Sequence, residues 1–156
     1  MKFFNAISLT LCCVFWLNMP ASSMAAPRAG TIVIETTTPY AAAWPKLQAA
    51  IQNNRMGIVG RASASAGAKS RGVTIPGNMV IGVFRNDFAV RMLAASVEAG
   101  VEAPLRFYLT ENGNGNARLS YRKPSVVFAP YGSVDLDRLA KELDAIFQTI
   151  AAEATR

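Results

Sequence analysis

A β-hairpin is the most strongly constrained feature of this sequence. Apolar and polar residues alternate from Leu105 to Thr110 and again from Arg118 to Arg122, and Asn-Gly-Asn-Gly stands between the runs at 112–115. Strict alternation indicates half-buried strands, and Asn-Gly pairs favour the tight turns that join such strands. The sequence therefore predicts an antiparallel hairpin with one buried and one exposed face. The exposed face would carry Arg106, Tyr108, Arg118, Ser120 and Arg122.

Further strands and helices are predicted on both sides of this hairpin. A β-branched run at 31–35 indicates a strand, after which Thr36 to Thr38 could cap a helix that has Pro39 in its first turn and ends near Asn54. Residues 57–62 indicate a second strand. Residues 63–72 are small and favour a loop or a short irregular helix. The continuous apolar run at 79–84 predicts a central strand that is buried on both faces.

Two more helices follow from apolar spacing. The first covers 87–98, with Val90, Leu93, Ala94 and Val97 on one side and Gly100 at its end. A loop with two prolines precedes the second, which covers 133–154. The predicted fold is therefore α+β, with an antiparallel-rich sheet of about five strands, helices packed on it, and the order β-α-β-β-α-β-β-α.

The first 25 residues have the pattern of an export signal. Lys2 precedes an apolar stretch from Ala6 to Leu17, and small residues lead up to a cleavage site that we expect after Ala25. The stretch is shorter than the ~20 residues that a membrane-spanning helix needs. We therefore expect a periplasmic or secreted protein with a single domain over 26–156 and no membrane segment in the mature chain. Cys12 and Cys13 leave with the signal.

The composition excludes several classes of enzyme. The chain has no histidine, which removes imidazole-based acid–base catalysis, Ser-His and Cys-His nucleophiles, and metal sites that need imidazole. It also has no P-loop and no Gly-rich dinucleotide turn. We therefore expect neither a cofactor nor a metal. Sixteen basic residues against ten acidic ones give a net charge of +6, which favours anionic ligands.

Three segments resemble those of a known family. Val-Phe-Arg-Asn-Asp at 83–87 resembles a Phe-Gly-Asn-Pro segment, Ala-Pro-Leu-Arg at 103–106 resembles a Leu-Pro-Leu start of the hairpin, and Tyr-Arg-Lys-Pro at 121–124 stands in place of Tyr-Asn-Asp-Pro. Together with the element order, they make the chain from about Ile32 to Ile150 similar to the domain of unknown function 302 family. The resemblance implies a TBP-like α+β fold. It implies no particular activity, because none is established for the family. The chain has Ser63-Ala64 where family members often have Asp-His.

The exposed face of the hairpin is the main candidate binding site. Arginines bind carboxylate, phosphate and sulfate groups bidentately, and here they surround a tyrosine. A plain solvated sheet face is the alternative. Asp87 and Glu111 lie at strand ends, where pockets open, but Asp87 could simply cap a helix and Glu111 could flank the hairpin turn. The predicted ligand-binding residues are Arg106, Tyr108, Arg118, Arg122, Asn86, Asp87 and Tyr121, and no catalytic residue is predicted.

Three functions are compatible with these features. The first is an exported, non-catalytic module that binds a small anionic or amphipathic ligand between helices and sheet. The second is a homodimer or envelope interaction protein that uses its sheet face or edge. The third is an enzyme that uses Asp87, Glu111 or Tyr121. An aromatic and basic sheet face is also typical of nucleic-acid binding, but export argues against that partner.

Overall fold

The computed structural model describes residues 28–156 and shows five strands and five helices. The predicted signal and its cleavage site lie outside these residues. No helix within 28–156 is long and apolar enough to cross a bilayer. In chain order, the elements are β1 (Thr31–Pro39), α1 (Tyr40–Asn53), β2 (Gly57–Ala62), α2 (Ala64–Lys69), β3 (Asn78–Phe84), α3 (Asn86–Ala95), β4 (Leu105–Glu111), β5 (Asn116–Arg122), α4 (Pro124–Phe128) and α5 (Val134–Ala154).

The strands form one antiparallel sheet in the order β1-β5-β4-β3-β2. The predicted hairpin forms its centre, and β2 begins and ends where the sequence predicted. The α+β class and the element order are confirmed. Residues 63–72 contain α2, for which the Ser63 side chain accepts a hydrogen bond from the Ala66 N–H at 3.1 Å. The prediction of a short helix there is therefore the correct alternative.

The main core lies on one face of the sheet, under α1 and α5. Phe107 of β4 is fully buried and stacks on Phe147 of α5, with 4.7 Å between the ring centroids. Tyr121 of β5 packs edge-on against Phe107 at 5.3 Å. A second apolar cluster joins α3, α4 and α5 at one end of the sheet, around Phe88 and Phe128. The predicted final helix is confirmed, and Ser133 caps it by accepting from the Leu136 N–H.

The boundary between β1 and α1 differs from the prediction. The strand continues through all three threonines, and the helix begins at Tyr40, with Pro39 in the N-cap position and no side-chain cap. Thr36 donates its hydroxyl to the Ala117 carbonyl of β5 at 2.7 Å, and Pro39 is still paired with Asn116. Pairing with β5 therefore holds the β-branched threonines in the strand.

The prediction that β3 is buried on both faces is wrong. Val80 is 37% exposed on the outer face, while Ile81 and Val83 on the inner face are buried. Gly82 approaches Pro104 so closely that an added Cβ would lie 3.0 Å from the proline ring. The apolar run arises because two outer positions hold valine and glycine, and it does not require a second helical layer.

The prediction for α3 is also wrong in length and in its buried face. The helix ends at Ala95, because Ser96 is extended and its hydroxyl accepts from the Ala99 N–H, which starts a 3₁₀ turn at Glu98–Glu102. Phe88 and Met92 face the core. The predicted stripe is exposed, at 61% for Val90, 45% for Leu93 and 72% for Val97. Phe88 and Met92, which lie one helical turn apart, form the buried face of α3 instead. The segment predicted as a loop contains α4, which buries Val127 and Phe128.

Three ionisable groups with shifted pKa values make the stability of the fold depend on pH. A hydrogen bond from Arg85 lowers the pKa of Asp87, and a hydrogen bond from Arg91 lowers the pKa of Glu142. Carboxylates whose pKa is lower in the folded state stabilise it above their unfolded pKa, and this contribution disappears as the pH falls through the folded value. Burial raises the pKa of Tyr121. That contribution is present below the unfolded pKa and disappears as the pH rises through the folded value.

We therefore expect the urea midpoint to be constant from about pH 6 to about pH 9 and to fall below about pH 4.5 and above about pH 10. Because the chain has no histidine, no imidazole titrates within the plateau. Urea unfolding at intervals of pH measures this profile. A distinct step in the midpoint between pH 6 and 8 would contradict the assignment of the titrating groups.

Candidate functional site

The predicted exposed face of the hairpin forms as expected. Strand pairing sets Tyr108 opposite Ser120 and Thr110 opposite Arg118, on the side of the sheet away from the main core. Arg106 pairs with Gly82 of β3, and Arg122 pairs with Thr31 of β1. One residue beyond the Phe107–Tyr121 pair, the same register sets Arg106 and Arg122 opposite each other. Four of the predicted ligand-binding residues therefore share one face: Arg106, Tyr108, Arg118 and Arg122.

The charge of Arg118 is neutralised within the protein. Its Nε contacts Glu35 Oε1 on the neighbouring strand β1. Asn112 donates to the other oxygen of the same carboxylate at 3.2 Å. Glu35 is thus held between a guanidinium and an amide. Arg118 is consequently less available to an incoming anion than its position on the exposed face suggested.

Arg106 and Arg122 have no such partner. Within residues 28–156, no carboxylate lies within 4 Å of either guanidinium. The Nε of Arg122 is buried and has no hydrogen-bond acceptor in this part of the chain. Like charges directly opposite on paired strands destabilise a sheet, and a buried donor without an acceptor adds to that cost. Arrangements that cost stability in this way are typical of binding sites.

A small pocket opens beside these two arginines. It has a volume of about 60 Å³ and is formed by the 3₁₀ turn at 98–102, the start of β4, the end of β5 and α4. Leu105 and Val127 give it an apolar wall. Arg106, Arg122 and Glu102 give it two positive charges and one negative charge. Its lining residues are Glu102, Leu105, Arg106, Arg122 and Val127.

Glu102 is the site residue that sequence reasoning missed. Its Oε1 accepts a hydrogen bond from the Tyr131 hydroxyl at 3.2 Å. Burial, together with this carboxylate, raises the pKa of Tyr131, so that the phenol keeps its proton and remains a donor. Its position in the sequence could have indicated this role, because Glu102 directly precedes the Ala-Pro-Leu-Arg segment that starts the hairpin and contains Arg106.

Asn86 and Asp87 lie apart from this pocket. They are in the first turn of α3, after the end of β3. Both carboxylate oxygens of Asp87 accept hydrogen bonds from Arg85, at 2.7 and 3.1 Å. The residue is therefore occupied by a local ion pair. The structure does not group either residue with the arginines of the hairpin.

Tyr121 faces the opposite side of the sheet. Its ring is in the core, 5.6 Å from the Phe147 ring, and it is only 7% exposed. It also lines an open groove between β1 and α5, together with Lys123, Asp144 and Gln148. Burial and the charge of Asp144 raise the pKa of its hydroxyl. Tyr121 is therefore separate from the arginine pocket.

Glu111 has a structural role. One carboxylate oxygen accepts from the Gly77 N–H at 2.6 Å, and its own N–H donates to the Gly77 carbonyl at 2.8 Å, so that it fastens the start of β3. Asp87 follows the other end of β3, about 20 Å away at the usual rise per strand residue. The two carboxylates considered for an enzyme are not brought together. Among residues 28–156, no group of three or more His, Cys, Asp or Glu is placed to hold a metal.

Comparison with known proteins identifies the family. The model of the family described as "Domain of unknown function DUF302" matches residues 32–154. The chain belongs to the DUF302 family. A crystal structure of an uncharacterized conserved DUF302 protein from Bacillus stearothermophilus superposes with a TM-score of 0.70 at 15% identity, covering 83% of this chain and 100% of that one. No curated protein matches the chain. At this identity, the structural likeness shows the DUF302 fold alone.

Proposed function

We propose that this DUF302 protein is an exported, non-catalytic binding protein for a small oxyanion, which Arg106 and Arg122 hold at the end of the hairpin. One observation carries the proposal. Two arginines line one pocket, at positions that the register of the hairpin sets opposite each other, without a carboxylate within 4 Å in the described chain, and the Nε of one is buried without an acceptor. An oxyanion would relieve the repulsion and accept from that Nε. Export is supported by the signal pattern of the first 25 residues.

Electrostatics and shape favour an anion that is small. Hydrogen bonds to charged groups contribute about 1.5–3 kcal/mol each, and guanidinium groups donate two at a time to planar or tetrahedral oxyanions. The pocket of about 60 Å³ accommodates several heavy atoms but not a large molecule. An anion with an apolar substituent could extend along the wall formed by Leu105 and Val127. This includes the amphipathic ligands that the sequence suggested.

The first experiment is native mass spectrometry on protein purified from the periplasm of cells that express the full chain. We expect a monomer cleaved after Ala25 that carries a discrete additional mass. Retention of residues 1–25, or recovery only from the cytoplasm, would contradict export. Titration calorimetry with phosphate, sulfate and small carboxylates then measures affinity directly.

The double variant Arg106→Ala/Arg122→Ala tests the site. We expect it to weaken anion binding by about 100-fold or more, because it removes both guanidinium donors. Its free energy of unfolding should equal that of the wild type or exceed it by up to about 1 kcal/mol, because two opposed like charges disappear. Titration calorimetry and urea unfolding provide the two measurements.

Arg118→Ala is the matched control, because it removes one charge from the same face while Glu35 already neutralises that charge. It should change anion affinity by less than about threefold. Equal losses in Arg118→Ala and in the two single variants Arg106→Ala and Arg122→Ala would show that general charge attracts the anion and that the proposed pair does not form a site.

Self-assembly is the second candidate, and exposed apolar side chains on the outer face favour it. Val33 is 40% exposed, Val80 37% and Tyr108 43%. The arginines on the same face oppose it, because a second copy stacked on this face would bring like charges together. A homodimer without an additional mass in the native spectrum would favour assembly over ligand binding.

A further inference from the structure

We propose that the pocket prefers an oxyanion that still carries a proton, namely hydrogen phosphate or a singly protonated phosphate monoester, over a fully deprotonated one such as sulfate. The inference rests on the proposed function and names the class of its ligand. It comes from Glu102, which lines the same pocket as Arg106 and Arg122.

The chemistry of a carboxylate explains the preference. An ionised carboxylate only accepts hydrogen bonds. Facing sulfate, Glu102 would oppose one set of lone pairs with another and repel the ion. Facing hydrogen phosphate, it would accept the P–OH proton in a short, charge-assisted hydrogen bond. The two arginines attract both ions equally, and Glu102 accounts for the difference in affinity between hydrogen phosphate and sulfate.

Glu102 is positioned and available for this role. The Tyr131 hydroxyl donates to its Oε1 and thereby fixes the carboxylate, while Oε2 has no hydrogen-bond partner among residues 28–156. No lysine or arginine of that range lies within 4 Å of it. The charge of Glu102 is therefore not neutralised by an internal pair, unlike the charge of Glu35, and one oxygen remains to accept a hydrogen bond from the ligand.

The test compares two ions of similar size and charge. At about pH 8, both inorganic phosphate and sulfate carry close to two negative charges, but only hydrogen phosphate retains a proton. By titration calorimetry on the full mature protein, we expect phosphate to bind at least about tenfold more tightly than sulfate, as one charge-assisted hydrogen bond predicts. In Glu102→Gln, the ratio should fall below about threefold, mainly because the amide N–H lets sulfate bind more tightly.

Glu98→Gln is the matched control. It removes the same charge from the same 3₁₀ turn, but Glu98 accepts from Ser96 and does not line the pocket. It should leave the ratio unchanged. The proposed selectivity would be disproved if the wild type bound sulfate as tightly as phosphate, or if the ratio of phosphate to sulfate affinity were unchanged in Glu102→Gln. Neither result would contradict the arginine site itself. Failure of both ions to bind the wild type would overturn the arginine site as well, and the inference with it.

A further arm separates the two sources of the phosphate group. Binding of inorganic phosphate without cosedimentation with phosphatidate-containing vesicles assigns the site to free phosphate. Cosedimentation that Arg106→Ala/Arg122→Ala abolishes assigns it to a lipid headgroup. The vesicle assay is run at about pH 5.5, below the second pKa of a phosphate monoester of about 6, so that the headgroup keeps one P–OH proton. Either result then supports the inference, since both groups carry the same proton. Vesicle binding that survives the double variant would show that the membrane is bound elsewhere and that the pocket does not hold the headgroup.

Discussion

Phe147→Ala should lower the free energy of unfolding by about 3–5 kcal/mol, as truncation of a buried phenylalanine does in other cores. Phe147 is fully buried and stacks on Phe107, and the Tyr121 ring packs against both. The truncation leaves a cavity between α5 and the centre of the sheet. It also removes the aromatic contacts that join β4, β5 and α5. Urea unfolding followed by circular dichroism measures the loss.

Val134→Ala is the control on the same helix. Val134 is 70% exposed in the first turn of α5, so its truncation should change stability by less than about 0.5 kcal/mol. Trp44 fluorescence provides a second probe, because Trp44 lies on α1 and packs against the same core cluster as Phe147. A loss below about 1 kcal/mol for Phe147→Ala would mean that α5 does not pack on the sheet as described.

Gly30→Ala should destabilise the fold by about 2–4 kcal/mol, because two separate costs add at this position. The backbone of Gly30 has a φ of +76°, which is unfavourable for any residue with a Cβ. An added Cβ would lie 2.6 Å from both Cγ atoms of Val126 in α4. The Gly30 carbonyl also accepts from the Lys123 N–H at 2.9 Å, so the turn cannot shift freely. Urea unfolding again gives the measurement.

Two other glycines separate these costs. Gly72 has a φ of +75° with nothing near its Cβ position, so Gly72→Ala should show the backbone cost alone, about 1–2 kcal/mol. Gly60 has neither a positive φ nor a close neighbour, and Gly60→Ala should be within about 0.5 kcal/mol of the wild type. If Gly30→Ala were no more destabilising than Gly72→Ala, the close contact between the turn and α4 would be disproved.

Sequence reasoning located the candidate site in part. Arg106 and Arg122 were found because the alternation of a hairpin shows which side chains share a face. Glu102 was missed because no periodicity connects a 3₁₀ turn to the end of a strand. Tyr121, Asn86 and Asp87 are also predicted ligand-binding residues, and the structure places them apart from the arginine pocket. Alternation already puts Tyr121 on the other face, and only the packing of α3 shows that Asp87 lies apart.

Local patterns determined the hairpin, β2, the final helix and the α+β class, because each depends on residues that are neighbours in the chain. Tertiary structure alone decided which face of α3 is buried and how far β1 extends. The buried face of α3 is the one that packs against α4 and α5, and the length of β1 is set by its pairing with β5; all of these partners are distant in sequence. It also decided which arginines have an ion-pair partner. Glu35, on a strand far from the hairpin in sequence, pairs with Arg118, while Arg106 and Arg122 have no carboxylate partner within the described chain.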